Sequence, residues 1–168
     1  MVMLYTTVDS PIGELLLVGD GASLHHLSMQ GGRHPLRVDL TWTRDDRAFT
    51  DVARQLEEYF TGARHTFDVP LSLAGNPFEQ RVWAELLAIP YGETASYGEI
   101  ARRVGNPGAA RAVGLANGRN PVAVIVPCHR VIGADRTLTG YGGGLERKRL
   151  LLDLESGVLP LTPSAAQV

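Results

Sequence analysis

The chain has 168 residues, 44% of them hydrophobic and 20% charged, with a net charge of −2 and a pI near 6.2. That length and mix supply one good core or two small ones, and exclude a disordered chain; a single cysteine excludes a disulfide scaffold. No apolar run reaches the roughly 18 residues that cross a bilayer, and no basic stretch followed by an apolar one opens the chain, so a membrane partner is excluded and a reducing cytoplasm is the expected location.

Residues 2–29 alternate or run apolar between turn residues: Leu4 to Val8, Asp9-Ser-Pro-Ile-Gly13, Leu15 to Val18, Gly19-Asp-Gly21, then Leu24 to Leu27. This pattern predicts an antiparallel meander. A helix follows, with Asp45 or Asp46 at its cap, Phe49, Val52, Leu56, Tyr59 and Phe60 on one stripe, and Gly62 at its end. Residues 64–75 read as a further strand and a connector. The first half, residues 1–75, shows no concentrated chemistry, and its expected role is support.

Asn76-Pro77 opens the second half, residues 76–157, because Asn caps a helix and Pro fits its first position. Phe78, Val82, Trp83, Leu86 and Leu87 give that helix an apolar face, and Pro90-Tyr-Gly92 stops it. Ser96-Tyr-Gly-Glu99 has the form of a capping box for a short helix through about Val104. After the break at Gly105-Asn-Pro-Gly108, a second helix of small residues runs from Ala109 to Asn117. Two short helices joined by a tight glycine-containing turn are a helix-turn-helix signature. The apolar run 122–126 reads as a strand leading to Cys128, and Glu146 to Glu155 as a helix whose last residue turns inward beside Leu154. Residues 158–168, with two prolines, read as a disordered tail.

Charge is segregated along this frame. From Tyr97 to Leu150 there are nine basic residues against three acids, a net +6 that leaves −8 to the rest of the chain. Such asymmetry gives an anionic ligand one preferred face. The same segment holds the lone cysteine, in Val126-Pro127-Cys128-His129-Arg130-Val131. Most lone cysteines are small core residues, but the adjoining imidazole and guanidinium favour a thiolate, and with it a nucleophile. His25, His26, His34 and His65 are scattered without metal spacing, so no metal site is expected. The glycines of Tyr141-Gly-Gly-Gly-Leu145 lack the Lys-Ser/Thr of a nucleotide loop; they suit either a linker or a loop lying close against a flat ligand.

Taken in order, Ile89-Pro-Tyr-Gly92, Ser96-Tyr97-Gly98, Ala110-Arg111-Ala112-Val113-Gly114, Asn120-Pro121-Val122, Pro127-Cys128-His129-Arg130-Val131, Tyr141-Gly-Gly-Gly144 and Glu155 resemble the O6-alkylguanine-DNA alkyltransferases. The opening Thr6-Thr-Val-Asp-Ser-Pro-Ile-Gly13 is similar to the same family's N-terminal region. The resemblance implies an α/β (α+β) chain: an N-terminal antiparallel sheet with a helix, ribonuclease H-like, then a mostly helical domain with a winged-helix-like helix-turn-helix. It implies stoichiometric, irreversible transfer of the alkyl group from O6-alkylguanine, and from O4-alkylthymine, in double-stranded DNA. No cofactor is implied. The implied catalytic set is Cys128 as acceptor thiol, His129 as a base acting through a water, Glu155 as the carboxylate that orients it, Asn120 as hinge, and Tyr97 as the hydrogen-bonding partner of the departing guanine. Arg111 matches the finger that fills the gap left by the flipped nucleotide. Ala112, Gly114, Ala116, Tyr97 and Arg130 are the other expected DNA contacts, in the minor groove, and Tyr141, Gly142, Gly143 and Val131 are expected to line the base pocket.

Three departures qualify the match. A zinc site using thiolates is impossible with one cysteine, Gly142 stands where several relatives carry Ser, and no sensor domain is present. The implied protein is a monomer in solution, with cooperativity on DNA left open. Two other classes use the same residues: a cysteine hydrolase, and a non-catalytic helix-turn-helix regulator that senses redox state through Cys128.

Overall fold

The structure, a computed structural model, describes residues 2–157. The expected tail lies outside the described residues. β1 (Leu4–Val8), β2 (Leu15–Gly19) and β3 (Leu24–Met29) form the antiparallel meander, with Leu4 opposite Gly19 and Val8 opposite Leu15. A two-residue strand, β4 (Thr43–Arg44), joins parallel to β1 and sets the order β3-β2-β1-β4. β2 is central and buried on both faces, as a continuous apolar strand should be. Its turn into β3 is fixed by Asp20, whose Oδ1 accepts from the amides of Ala22 and Ser23.

Asp45 caps a 3-10 turn (Asp46–Phe49) that runs into α1 (Thr50–Phe60). Leu56, Tyr59 and Phe60 face inward, as the stripe requires. α2 (Pro77–Leu87) starts at a complete capping box: Asn76 Oδ1 accepts from the Glu79 amide at 2.8 Å, and Glu79 Oε1 accepts from the Asn76 amide at 2.9 Å. Val82, Trp83 and Leu86 are buried, whereas Leu87 points outward and is 47% exposed. β5 (Ala95–Ser96) pairs in parallel with β6 (Val131–Ile132). α3 (Tyr97–Arg103) uses only half of its expected box. Ser96 Oγ caps the Glu99 amide, but the Glu99 carboxylate turns toward Arg103 instead. α4 (Ala110–Gly118) packs against α2 and α3, and α5 (Leu145–Glu155) closes the described chain. No described helix is long and apolar enough to cross a membrane.

Two expected strands do not form. In residues 64–75 only Leu71 makes a bridge, to Leu24, and residues 122–126 contribute a single bridge, Leu27 to Val122. That second segment lies between Pro121 and Pro127 and folds back on itself: the Ile125 amide donates to Ala123, and the Val126 amide to Val122. Val124 takes a φ of +71°, rare for a β-branched residue and costly enough that the surrounding core must hold it. A short buried apolar run has no period to separate strand from irregular core. The two bridges nonetheless cover the outer edge of β3, and the second fastens the second half to it: the Leu27 amide donates to Pro121, and the Ala123 amide to Leu27.

Candidate active site

Cys128 opens a 3-10 turn (Cys128–Arg130) that leads into β6. Asn120 holds the preceding coil at both ends, its Nδ2 donating to Val126 O at 2.8 Å and its Oδ1 accepting from the Val122 amide at 3.0 Å. Asn117, from the end of α4, donates to the Cys128 carbonyl at 3.3 Å. The helix-turn-helix and the cysteine are thereby fixed to one another. Cys128 lies in the wall of a cavity of about 440 Å³, bounded by Met29 of β3, the segment around Leu36, Asn117 and Asn120, and the glycine loop at Tyr141.

Behind the thiol is a buried polar network. His129, fully buried, shares a 2.8 Å hydrogen bond between Nε2 and Glu155 Oε2. Arg130 grips the same carboxylate twice, Nε to Oε1 at 2.7 Å and Nη2 to Oε2 at 2.9 Å, and its Nη1 donates to Ile89 O. The Tyr59 hydroxyl donates to Oε2 at 2.5 Å. Burial alone would raise the Glu155 carboxyl, but hydrogen bonds from His129 and Arg130, together with the Arg130 charge, outweigh it and hold it at about 2. Burial lowers the His129 imidazole from its usual value against the opposing pull of Glu155, so the resting ring is neutral. An ionised Glu155 accepts the Nε2 proton and leaves the Nδ1 lone pair as a base.

The resting cysteine differs from the sequence expectation. Burial pushes the Cys128 thiol up, and the Asn120 amide and the Lys148 charge only partly offset it. Arg130 is committed to Glu155 and does not serve the sulfur. The resting state is therefore a thiol, and a base must take its proton when it reacts.

Other expected residues fall in several places. Asn120, Tyr141, Gly142 and Gly143 line the cavity. Val131 is completely buried and is not among the residues that line it. Tyr97 stands outside the cavity at the start of α3, its hydroxyl accepting from Thr139 Oγ1 at 3.2 Å. Arg111 and Ala112 are exposed on α4, and Gly114 sits over the Tyr97 ring. Ala116 is no surface contact: it is buried, and its carbonyl accepts from Trp83 Nε1 at 2.9 Å. Arg130 likewise is 7% exposed and turned into the protein, because its charge is spent on a buried carboxylate. Of the nine basic residues between Tyr97 and Leu150, Lys148 is also buried, and Arg147 is half-buried on the carbonyls of Ile12 and Gly143. The basic face thus rests on Arg102, Arg103, Arg111, Arg119, Arg136 and Arg149, all exposed.

Two contributors gave no sequence signal. Tyr59 reads as one more apolar stripe residue. Lys148, the only lysine in the chain, sits in a charged run that suggests solvent, yet its ammonium donates to Val131 O at 2.6 Å and Thr139 O at 2.8 Å. Burial lowers it to about 8. His25 and His26 are both half-buried; no group of three His, Cys, Asp or Glu among the described residues could hold a metal ion.

Two family descriptions match consecutive parts of the chain: the ribonuclease-like domain of 6-O-methylguanine DNA methyltransferase over residues 3–73, and its DNA binding domain over residues 77–157. The chain belongs to the 6-O-methylguanine DNA methyltransferase family. It is 59% identical to the methylated-DNA–protein-cysteine methyltransferase of Mycobacterium tuberculosis strain ATCC 25618 / H37Rv, across 93% of this chain and 94% of that one. Against the Methanosarcina acetivorans protein of the same name the identity is 51%, across 91% and 98%. The crystal structure of Mycobacterium tuberculosis OGT in complex with DNA superposes with a TM-score of 0.90 at 55% identity, covering 98% of this chain and 99% of that one. The mixed α/β fold, with its N-terminal antiparallel sheet and helical C-terminal part, is the fold of these methyltransferases.

Within this methyltransferase family member, the glycine loop is held closely at one point. A Cβ added at Gly143 would lie 2.5 Å from Met29 Sδ and 2.8 Å from the Tyr141 ring, whereas Gly142 faces open space. Gly143→Ala is expected to cost about 1–3 kcal/mol by overpacking, seen as a lower urea midpoint, and Gly142→Ala close to nothing. Equal midpoints for the two variants would show that the loop yields freely.

Proposed function

We propose that the protein repairs alkylated double-stranded DNA by moving an alkyl group from O6 of guanine, or O4 of thymine, onto Cys128, once per molecule. The observation that carries this reading is a set of three buried side-chain atoms that have no hydrogen-bond partner among the described residues: Asn117 Oδ1, His129 Nδ1 and Tyr141 Oη. Asn117 and Tyr141 line the cavity that Cys128 also lines, and His129 adjoins the cysteine. Buried polar atoms are ordinarily paired, so two unpaired ones at the cavity beside the cysteine suit a polar guest, and the unpaired Nδ1 suits a base.

The bonds balance simply. Sγ attacks the alkyl carbon, the C–S bond forms, and the carbon–oxygen bond breaks with its electron pair left on the base. The thiol proton passes to His129 Nδ1, directly or through a water, while Glu155 holds the ring and stabilises the imidazolium. The family resemblance gives support of the departing base to Tyr97, whose hydroxyl stands outside the cavity and accepts from Thr139. Residues 76–157 supply the chemistry and the DNA face, residues 1–75 the frame, and the protein works as a cytoplasmic monomer.

The target oxygen is hidden in a stacked duplex, so the nucleotide must leave the stack at a cost of a few kcal/mol. Arg111, exposed on α4 with Leu115 one turn further at 61% exposure, is placed to fill the gap. Arg111→Ala is therefore expected to slow repair of duplex substrate by about 10-fold or more, since a few kcal/mol of flipping cost is no longer offset, and to leave reaction with free O6-benzylguanine unchanged. Equal slowing on both substrates would remove Arg111 from DNA handling. The overall reading is tested by titrating the protein against O6-methylguanine duplex. One methyl group per chain supports it, and methanol release with recovery of the free thiol supports a hydrolase.

A further inference from the structure

We propose that Tyr59, carried by α1 in the N-terminal half, is a positioning residue of the alkyl-transfer site: its hydroxyl fixes the Glu155 carboxylate and, through it, the His129 imidazole. The proposal rests on the functional reading above and adds a part to that site.

Tyr59 is 0% exposed and packed among aromatic rings, with Phe60 edge-on at 5.2 Å, Phe67 at 5.2 Å and Tyr91 edge-on at 6.3 Å. Packing alone would be served by phenylalanine, because a hydroxyl buried there without a partner costs about 1–3 kcal/mol. Among the described residues this hydroxyl has one partner, and it is the carboxylate that holds the base, 96 residues away in the chain.

That contact crowds one oxygen of the carboxylate. An ionised carboxyl offers about four acceptor positions. Oε1 takes Arg130 Nε, and Oε2 takes Arg130 Nη2, His129 Nε2 and the Tyr59 hydroxyl. Oε2 is the oxygen that orients His129, so Tyr59 and His129 compete for the same negative charge. The other charges that bear on the pair are Arg130, on both groups, and Lys148, on His129; the Glu155 charge in turn raises Tyr91 and Tyr141, which stay neutral. Only Tyr59 comes from the N-terminal half and donates to the carboxylate directly. Burial and the Glu155 charge push its own ionisation far up, so it remains a donor throughout the working range.

Removing the hydroxyl has two consequences. Glu155 loses one of the contacts that set its rotamer, and its undivided charge stabilises the protonated imidazole more strongly. In the full chain, Tyr59→Phe is expected to lower the limiting rate constant of benzyl transfer from O6-benzylguanine by about 10-fold, with an unchanged half-saturating concentration. The ring nitrogen signals of His129, followed by NMR in a Cys128→Ser background, are expected to titrate at higher pH when Tyr59 is Phe. Phe60→Leu is the packing control. It disturbs the same ring cluster without touching Glu155, so it should lower the melting temperature and leave the His129 titration in place. An unchanged rate and an unchanged His129 titration in folded Tyr59→Phe would overturn the proposal, as would an equal shift in Phe60→Leu. If the unsubstituted protein itself transfers no benzyl group, the functional reading fails, and the His129 titration still decides the role of Tyr59.

Discussion

Cys128→Ser is expected to bind duplex containing O6-methylguanine and transfer nothing measurable, a fall of more than about 10³-fold in rate. A serine hydroxyl in the same place is a far weaker nucleophile, and the site is built for a thiol. Burial pushes the Cys128 thiol up, with the Asn120 amide and the Lys148 charge partly offsetting it, whereas a hydroxyl starts far higher and would demand a much stronger base than a neutral imidazole. In the unsubstituted protein the product is a thioether, whose carbon has no good leaving group at neutral pH, so turnover should stop at one. Intact mass should rise by one methylene, about 14 Da, confined to the peptide that contains Cys128. Methyl groups on another residue, or more than one repaired base per chain, would refute the mechanism.

The spent protein should also be less stable than the fresh one. Cys128 is 6% exposed, and its turn is tied down by Asn117 and Asn120. Adding a methyl group there is a small overpacking, worth about 1–3 kcal/mol, and the thioether loses the proton that the thiol could donate. A lower melting temperature after reaction with O6-methylguanine DNA, absent in Cys128→Ser carried through the same incubation, is the expected record of it.

The parts of this molecule that were legible in its sequence are those whose causes are local. The capping box of α2 lies within four residues, Asn76 to Glu79, and the meander is a set of short apolar runs parted by turn residues, so both read directly. The Cys-His-Glu set was legible through family resemblance, since nothing between residues 130 and 155 announces that His129 and Glu155 meet. What could not be read is non-local. Arg130 looks like a DNA contact because it is basic and beside the reactive cysteine; only the fold reveals the buried carboxylate 25 residues on. Tyr59 fits its apolar stripe so well that its hydroxyl carries no sequence signal at all. The run 122–126 failed as a strand for a different reason, because two prolines and a left-handed Val124 override an apolar pattern that would suit either state.

Glu155 is where the largest loss of stability is expected. Glu155→Ala would leave the Arg130 guanidinium buried without its carboxylate and strip partners from His129 and Tyr59, a change worth about 3–5 kcal/mol and roughly 10 °C or more in melting temperature for a chain of this size. Glu155→Gln keeps the shape and should lose less, while still slowing transfer because an amide cannot balance an imidazolium. The pH dependence separates charge from shape. The folded value of Glu155, about 2, lies below the ordinary 4.5, so its contribution is complete above 4.5 and is lost as pH falls toward 2. His129 acts in the same direction: its folded value is below 6.5, so on acidification the unfolded chain takes up a proton that the folded one refuses. Lys148, at about 8 in the fold against 10.5, adds stability as pH rises between those values, because there the unfolded chain holds more protons. Urea midpoints of the unsubstituted protein should therefore fall below pH 6.5 and fall most steeply between 4.5 and 2, and Glu155→Gln should have a shallower lower part, the remainder coming from other carboxylates such as Asp20, which backbone hydrogen bonds hold below the usual range. A Glu155→Gln protein with the full acid slope would mean that the carboxylate's charge is not what holds Tyr59, His129 and Arg130 together.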